Sequence, residues 1–167
     1  MADRKPTYPR SFRLPPAIAA EISKLVEKIL DHTDEDVPRA VQAMLSPDVK
    51  YASHDDILVI VVDQLLIKLR TANEDVRRKA TIALTEIGAA GVNLMACHVT
   101  ESTDVDYRIR LIGILTEIGP RARKPVAFCL IGNLVNQVNQ RIRKAILEGV
   151  MHLEATQRRS AGEPAMN

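Results

Sequence analysis

An all-α fold of stacked antiparallel helix pairs is what the sequence predicts, and three observations carry the prediction. Apolar residues recur at offsets 0, 4, 7, 8 and 11, as in Ile18, Ile22, Leu25, Val26, Ile29 and in Leu58, Val62, Leu65, Leu66, Leu69, the spacing that lines one helix face. Strand punctuation is missing: no Gly precedes Gly88, no Pro lies between Pro47 and Pro120, and Asn-Gly and Asp-Gly hairpin pairs do not occur. Finally, residues 75–88 match residues 106–119 at seven of 14 positions, a self-match with a period of 31; composition alone predicts roughly one identity.

The elements follow in order. Pro15-Pro16 opens a first helix over 16–31. The acidic turn Asp34-Glu35-Asp36 before Val37-Pro38 caps and charges the start of a second, which ends by Pro47. The run 57–62 is rich in Ile and Val and reads as a strand over six residues, but the pattern continues to Leu69, a length that decides for a helix over 55–70. Ser53 followed by Asp56 is a capping box for it, and Ile57, Ile60 and Ile67 add a second apolar stripe, so this helix is expected to be central and buried on more than one side. Further helices read over 74–87, 90–101, 105–118, 123–136 and 139–153, giving about eight with short connections. Residues 1–14, a basic Pro-rich arm, and 156–167 have no periodicity and are expected to be flexible around a repeat domain at 15–155.

Composition narrows function mostly by exclusion. The chain has 167 residues, 46% of them hydrophobic, with 23 basic and 21 acidic side chains, the profile of one ordinary domain and of neither a histone-like binder nor an acidic tail. With no Trp, three Tyr, two Phe and seven Gly, it lacks aromatic platforms for single-stranded bases and glycine-rich phosphate cradles. Cys97 and Cys129 cannot build a disulfide framework, and Arg4, Lys5, Arg10 and Arg13 among four prolines do not make a secretory leader. The longest apolar run is far below the roughly 20 residues of a spanning helix. A soluble, cytoplasmic protein with no membrane partner is expected.

Each copy of the repeat supplies an amphipathic helix ended by Gly88 or Gly119, where a left-handed turn is expected, then a second helix that doubles back. One hairpin cannot bury both faces, whereas a stack can. Asp75, Arg77, Asp106 and Arg108 would then stand at equal heights and pair between neighbours as a ladder. A weaker third copy begins 35 residues on, with Ile142, Arg143, Ile146, Val150 and Leu153 replacing Val76, Arg77, Ala80, Leu84 and Ile87. The set Asp75-Val76-Arg77, Ala80, Ala83-Leu84 and Ile87-Gly88, repeated as Asp106, Arg108, Leu115 and Ile118-Gly119, resembles the HEAT-like repeat family. The resemblance is strong over 75–119 and looser over roughly 36–153. It implies a right-handed α-solenoid that binds proteins on the concave surface lined by its second helices, with Asp75, Arg77, Asp106 and Arg108 as structural residues.

Six basic residues, Arg121, Arg123, Lys124, Arg141, Arg143 and Lys144, lie between 118 and 147 with no acid among them. The plain reading is a solvated face with Arg143 in the internal ladder. If the two triplets converge, they could instead grip an acidic protein surface or the phosphates of a nucleic acid. Asn133, Asn136, Gln137 and Asn139 put four amides within seven residues; they either line the concave face, as Asn93 and His98 would, or form a polar turn and cap. Some HEAT-like proteins are glycosylases of alkylated purines and others resemble phycobilin lyases. This chain has only Tyr51, Tyr107 and Phe128 as helical aromatics and no residues that mark a chromophore site. His54-Asp55-Asp56 diverge around a helix and read as first-turn charges, while Cys97, His98 and Cys129 read as small buried groups. No HExxH, CxxC, GxSxG, GxGxxG or P-loop pattern occurs, so no catalytic residue, metal or cofactor is expected. The function predicted is a non-catalytic scaffold for another protein, with nucleic-acid binding second and an enzyme on the same scaffold third.

Overall fold

A computed structural model describes residues 16–46, 54–135 and 137–160. Among them there are helices and no strand: α1 (Pro16–Asp31), α2 (Val37–Met44), α3 (His54–Lys68), α4 (Glu74–Ile87), a 3₁₀ turn (Gly88–Gly91), α5 (Val92–Glu101), α6 (Val105–Ile118), α7 (Arg123–Val135) and α8 (Gln140–Ser160). The α4 helix, the 3₁₀ turn and α5 follow without a gap from Glu74 to Glu101, so the expected eight separate helices become seven continuous helical bodies. By length and composition that 28-residue stretch could cross a membrane, yet its apolar side chains Ala80, Ala83, Leu84, Ile87, Val92, Met95 and Val99 are buried in the core. The arm at 1–14 and the Ser53 cap lie outside the described residues, whereas α8 runs through 156–160, where a flexible tail is expected to begin.

Helix starts are built the same way three times. Asn73 Oδ1 accepts the amides of Asp75 and Val76 (3.0 and 3.3 Å), Asp104 Oδ1 accepts that of Tyr107 (3.0 Å), and Asn139 Oδ1 accepts those of Arg141 and Ile142 (3.0 and 3.3 Å). Two residues earlier, the side-chain oxygens of Thr71, Ser102 and Gln137 accept the amide of each capping residue. These side chains satisfy donors that a helix cannot pair internally. The weak third repeat therefore keeps the caps of the first two although it loses their Asp and Gly. At α2 the outcome differs: Asp36 occupies the N-cap position without bonding the backbone. Its carboxylate takes the Thr33 hydroxyl at 2.8 Å, and Asp34 reaches Arg78 of α4 at 2.6 Å.

The core is one continuous cluster. Equivalent repeat positions fill it: Ala80 with Leu111, Leu84 with Leu115 and Ile87 with Ile118 are all buried. The helices α2, α4, α6 and α8 pack on one another in that order, as do α1, α3, α5 and α7. Bonds at the helix ends fix their direction. Asp106 meets Arg141 at 2.6 Å where α6 and α8 begin, and Gly119 meets Leu153 where α6 ends, so α6 and α8 run parallel. Gln42 of α2 reaches Glu86 of α4 (2.7 Å), Thr85 of α4 reaches Glu117 of α6 (3.4 Å), Lys68 of α3 reaches Glu27 of α1, and Thr100 of α5 reaches Asn133 of α7 (3.2 Å). As expected, α3 is central, packing on α1, α4 and α5 with Val61, Val62, Leu65 and Leu66 buried, but of the second apolar stripe only Ile57 is buried, while Ile60 is half-buried and Ile67 exposed.

Two expectations about the repeat motif change. Gly88 has φ +66°, the backbone that favours glycine, but Gly119 is right-handed at φ −45°. Gly119 is required for a different reason: a Cβ there would stand 1.9 Å from Leu153 Cδ2. The uniform Asp-Arg ladder is also absent. Arg77 pairs with Glu74 and donates to the Thr71 carbonyl (3.1 Å), Arg143 donates to the Gln137 carbonyl (3.3 Å), and Asp75 pairs with Arg78 and Lys79 of its own helix. The Lys79 hydrogen bond is the main cause holding the Asp75 carboxyl below its ordinary value. Arg108 has its Nε buried without a hydrogen-bond partner, and burial lowers its pKa. The rung between neighbours is Asp106 to Arg141.

Candidate functional site

The last helix pair carries more apolar surface than packing uses. On α7, Val126, Cys129 and Leu130 are buried, with the Asn133 side turned to α5. On the opposite side Phe128, Ile131 and Val135 are 83%, 51% and 76% exposed. Their spacing of three and four residues makes one stripe. On α8, Ile142, Ile146, Gly149 and Leu153 face the core, while Leu147 and Met151, 46% and 67% exposed, point away. The two helices are joined by residues 136–139 and pack side by side. Both stripes therefore lie on the side of the pair turned from α5 and α6. Scattered apolar side chains on a surface are ordinary, but grouped large ones mark interaction sites.

Charge lines the same pair. Residues 121–160 hold eight Lys and Arg against two Glu. The two basic triplets do not converge. Arg121, Arg123 and Lys124 follow the end of α6, near the level of Leu153, while Arg141, Arg143 and Lys144 start α8 beside the beginning of α6. About 18 Å of helix separates Arg141 from Leu153 at 1.5 Å per residue. Acids meet three of them: Glu86 of α4 lies 3.7 Å from Arg121, Asp106 of α6 pairs with Arg141, and Glu148 of α8 itself lies 3.8 Å from Lys144. Arg123, Lys124 and Arg143 are exposed and have no ion pair among the described residues.

The amide cluster resolves as turn and cap. Asn133 donates to the Cys129 carbonyl (2.9 Å) and accepts from Thr100, buried Gln137 holds the Asn139 amide (2.9 Å), and Asn139 caps α8. These groups are committed to packing, and Asn136 lies outside the described residues. Asn93 is exposed. His98 is buried: its Nδ1 shares a 3.1 Å hydrogen bond with the Tyr107 hydroxyl, and Arg70 stands 4.2 Å over the Tyr107 ring. Burial, then Arg70, lowers the His98 pKa, and burial raises that of Tyr107. The expectation of buried cysteines holds for Cys129, whose thiol burial pushes up to about 11, but Cys97 is exposed. Among the described residues no three His, Cys, Asp or Glu side chains gather to hold a metal; those of His54, Asp55 and Asp56 are not described.

The exposed stripe on α7 was within reach of the sequence. Val126, Phe128, Cys129, Leu130, Ile131, Leu134 and Val135 make this segment apolar on nearly every side, more than one buried face needs. Which side stays uncovered depends on the position of α7 at the end of its row.

No family model matches the chain, and no curated protein matches it. Among solved structures it is similar to an engineered protein determined by the Northeast Structural Genomics Consortium, with a TM-score of 0.39 and 21% identity over 83% of this chain; the match spans 64% of that protein's length.

Proposed function

We propose that this chain is a HEAT-like, right-handed α-solenoid that acts as a non-catalytic interaction module for another protein and docks its partner on the α7–α8 face. The observation that carries this reading is the apolar surface of Phe128, Ile131, Val135, Leu147 and Met151, five of the eight large hydrophobic side chains exposed among the described residues, gathered on the last helix pair, whereas Val59 and Ile67 are exposed apart from it on α3. The solenoid reading draws on the parallel order of α2, α4, α6 and α8 and on the bonds that link side chains 32 to 44 residues apart along it. In such a stack each unit contacts only its neighbours, and a terminal unit has one side uncovered.

Nucleic-acid binding has weaker support. A phosphate track needs adjacent unpaired cations, whereas the two triplets stand at opposite ends of α8 and three of the six cations face carboxylates.

Affinity capture from a lysate of the source organism, run in parallel with the wild-type chain and a Phe128→Asp, Leu147→Asp variant, tests the reading. A protein retained in stoichiometric amount by the wild type and lost by the variant is the expected result. Equal retention by both would remove the face from consideration, and retention of nucleic acid alone would replace the reading with its rival.

A further inference from the structure

We propose that the α7–α8 face receives an amphipathic helix of another protein, with an apolar stripe flanked by acidic side chains. This rests on the docking face just described and specifies its occupant. The shape comes from the α7 stripe: Phe128, Ile131 and Val135 cover eight residues, about 10 Å from first to last at a rise of about 1.5 Å per residue. That length matches two turns of a helix presenting apolar groups at i, i+3 or i+4 and i+7. Leu147 and Met151, one turn apart on the adjoining α8, form the second wall. Among the described residues there is no strand edge to which an extended segment could add.

Charge selects the partner. Lys124 stands one turn before Phe128 on the same side of α7, and Arg143 and Lys144 stand one turn before Leu147. Lys124 and Arg143 have no ion pair among the described residues, and the acids beside Leu147 and Met151 on α8 are Glu148, which meets Lys144, and the exposed Glu154, one turn after Met151. Eight basic residues against two acidic ones over 121–160 contrast with the rest of the chain, which holds 15 basic and 19 acidic. A second copy of the chain would bring this basic face against its own like. Charges juxtaposed in that way oppose association, whereas carboxylates flanking an apolar stripe draw a partner in and set its register. An acidic amphipathic helix fits both the surface and its field.

Two synthetic helical peptides with the same leucine stripe, each about 16 residues long, provide the probe: one carries Glu and the other Lys beside the leucines. In fluorescence anisotropy the Glu peptide is expected to bind saturably, about tenfold or more tighter than the Lys peptide, and to weaken as salt rises from about 50 to about 300 mM. Phe128→Ser with Leu147→Ser should cost about tenfold or more in affinity, and Lys124→Glu with Arg143→Glu should reverse the peptide preference. All four positions are exposed, and circular dichroism confirms that the variants keep their helix content. Equal affinity for both peptides, preference for Lys, or no binding overturns the proposal. So does sedimentation of the wild type as a dimer that Phe128→Ser converts to a monomer, because a second copy then covers the face. If the peptides fail while face-dependent capture from lysate persists, the interaction-module reading stands and the proposed occupant is wrong.

Discussion

The sequences ending α4 and α6 share Leu-Thr-Glu-Ile-Gly, yet their two glycines should fail differently when replaced by Ala. At Gly88 there is open space, with nothing within 4 Å of an added Cβ, but φ is +66°. The penalty there is conformational, about 1–3 kcal/mol for a non-glycine residue in a sparsely populated region. At Gly119 the backbone is right-handed and suits Ala, so helix propensity returns up to about 1 kcal/mol. Packing opposes it: Leu153 Cδ2 would lie 1.9 Å from the new Cβ and the Thr116 carbonyl oxygen 2.9 Å from it. Leu153 is buried and must retreat by roughly 1.5 Å to reach ordinary contact, and overpacking of this kind costs about 1–3 kcal/mol. A net loss of about 1–2 kcal/mol follows, equivalent to about 2–8 °C in Tm for a chain of this size. Urea unfolding followed at 222 nm, with Leu153→Ala as a second substitution, separates the causes. Removing the leucine side chain should lower the cost of Gly119→Ala by about 1 kcal/mol or more and leave that of Gly88→Ala unchanged. Strict additivity of Gly119→Ala and Leu153→Ala would refute the packing argument, and a Gly88→Ala effect below about 0.5 kcal/mol, the level of a neutral surface change, would refute the backbone one.

Other outcomes follow from the same structure. Asn73→Ala and Asn139→Ala should each cost about 1 kcal/mol in urea unfolding because each removes a bonded cap, while Asp36→Ala, which bonds no helix amide, should cost less than about half of that. The folded pKa of His98 is lowered below 6.5, so the folded state binds fewer protons than the unfolded one. Its contribution is complete above pH 6.5 and is lost as pH falls from there through the folded pKa; His98→Gln should flatten the fall in urea midpoint between about pH 7 and about pH 5 relative to the wild type. Tyr107→Phe deletes the bond to His98 Nδ1 inside the core and should cost about 1 kcal/mol. Reversing Arg141 to Glu breaks an exposed pair with Asp106 and should change stability by no more than about 1 kcal/mol, the effect shrinking as salt is added.

Local patterning placed most of the helices. The 3.6-residue period depends only on which residues are apolar, so α1, α4 and α6 begin and end where that pattern does, and the caps at Asn73, Asp104 and Asn139 are set by residues within three positions of the amides they hold. The end of α8 was less legible, since residues 156–160 are polar and continue the helix without an apolar stripe. Charge was legible only as composition. The basic run from Arg121 to Lys144 contains no acid, but Glu86 and Asp106 reach it from α4 and α6, and α8 holds its two halves apart.

By itself the sequence determined that the chain is helical, that it repeats with a period of 31 to 35 residues, and where most helices start, because propensity, capping and periodicity act over a few neighbouring residues. Tertiary structure alone decided that Gly119 is required for packing against Leu153, that Asn133 meets Thr100 of α5, and that Phe128, Ile131 and Val135 stay in solvent. Each of those depends on what stands across from the side chain. That is fixed by residues 30 or more positions away, through distances that no local pattern encodes.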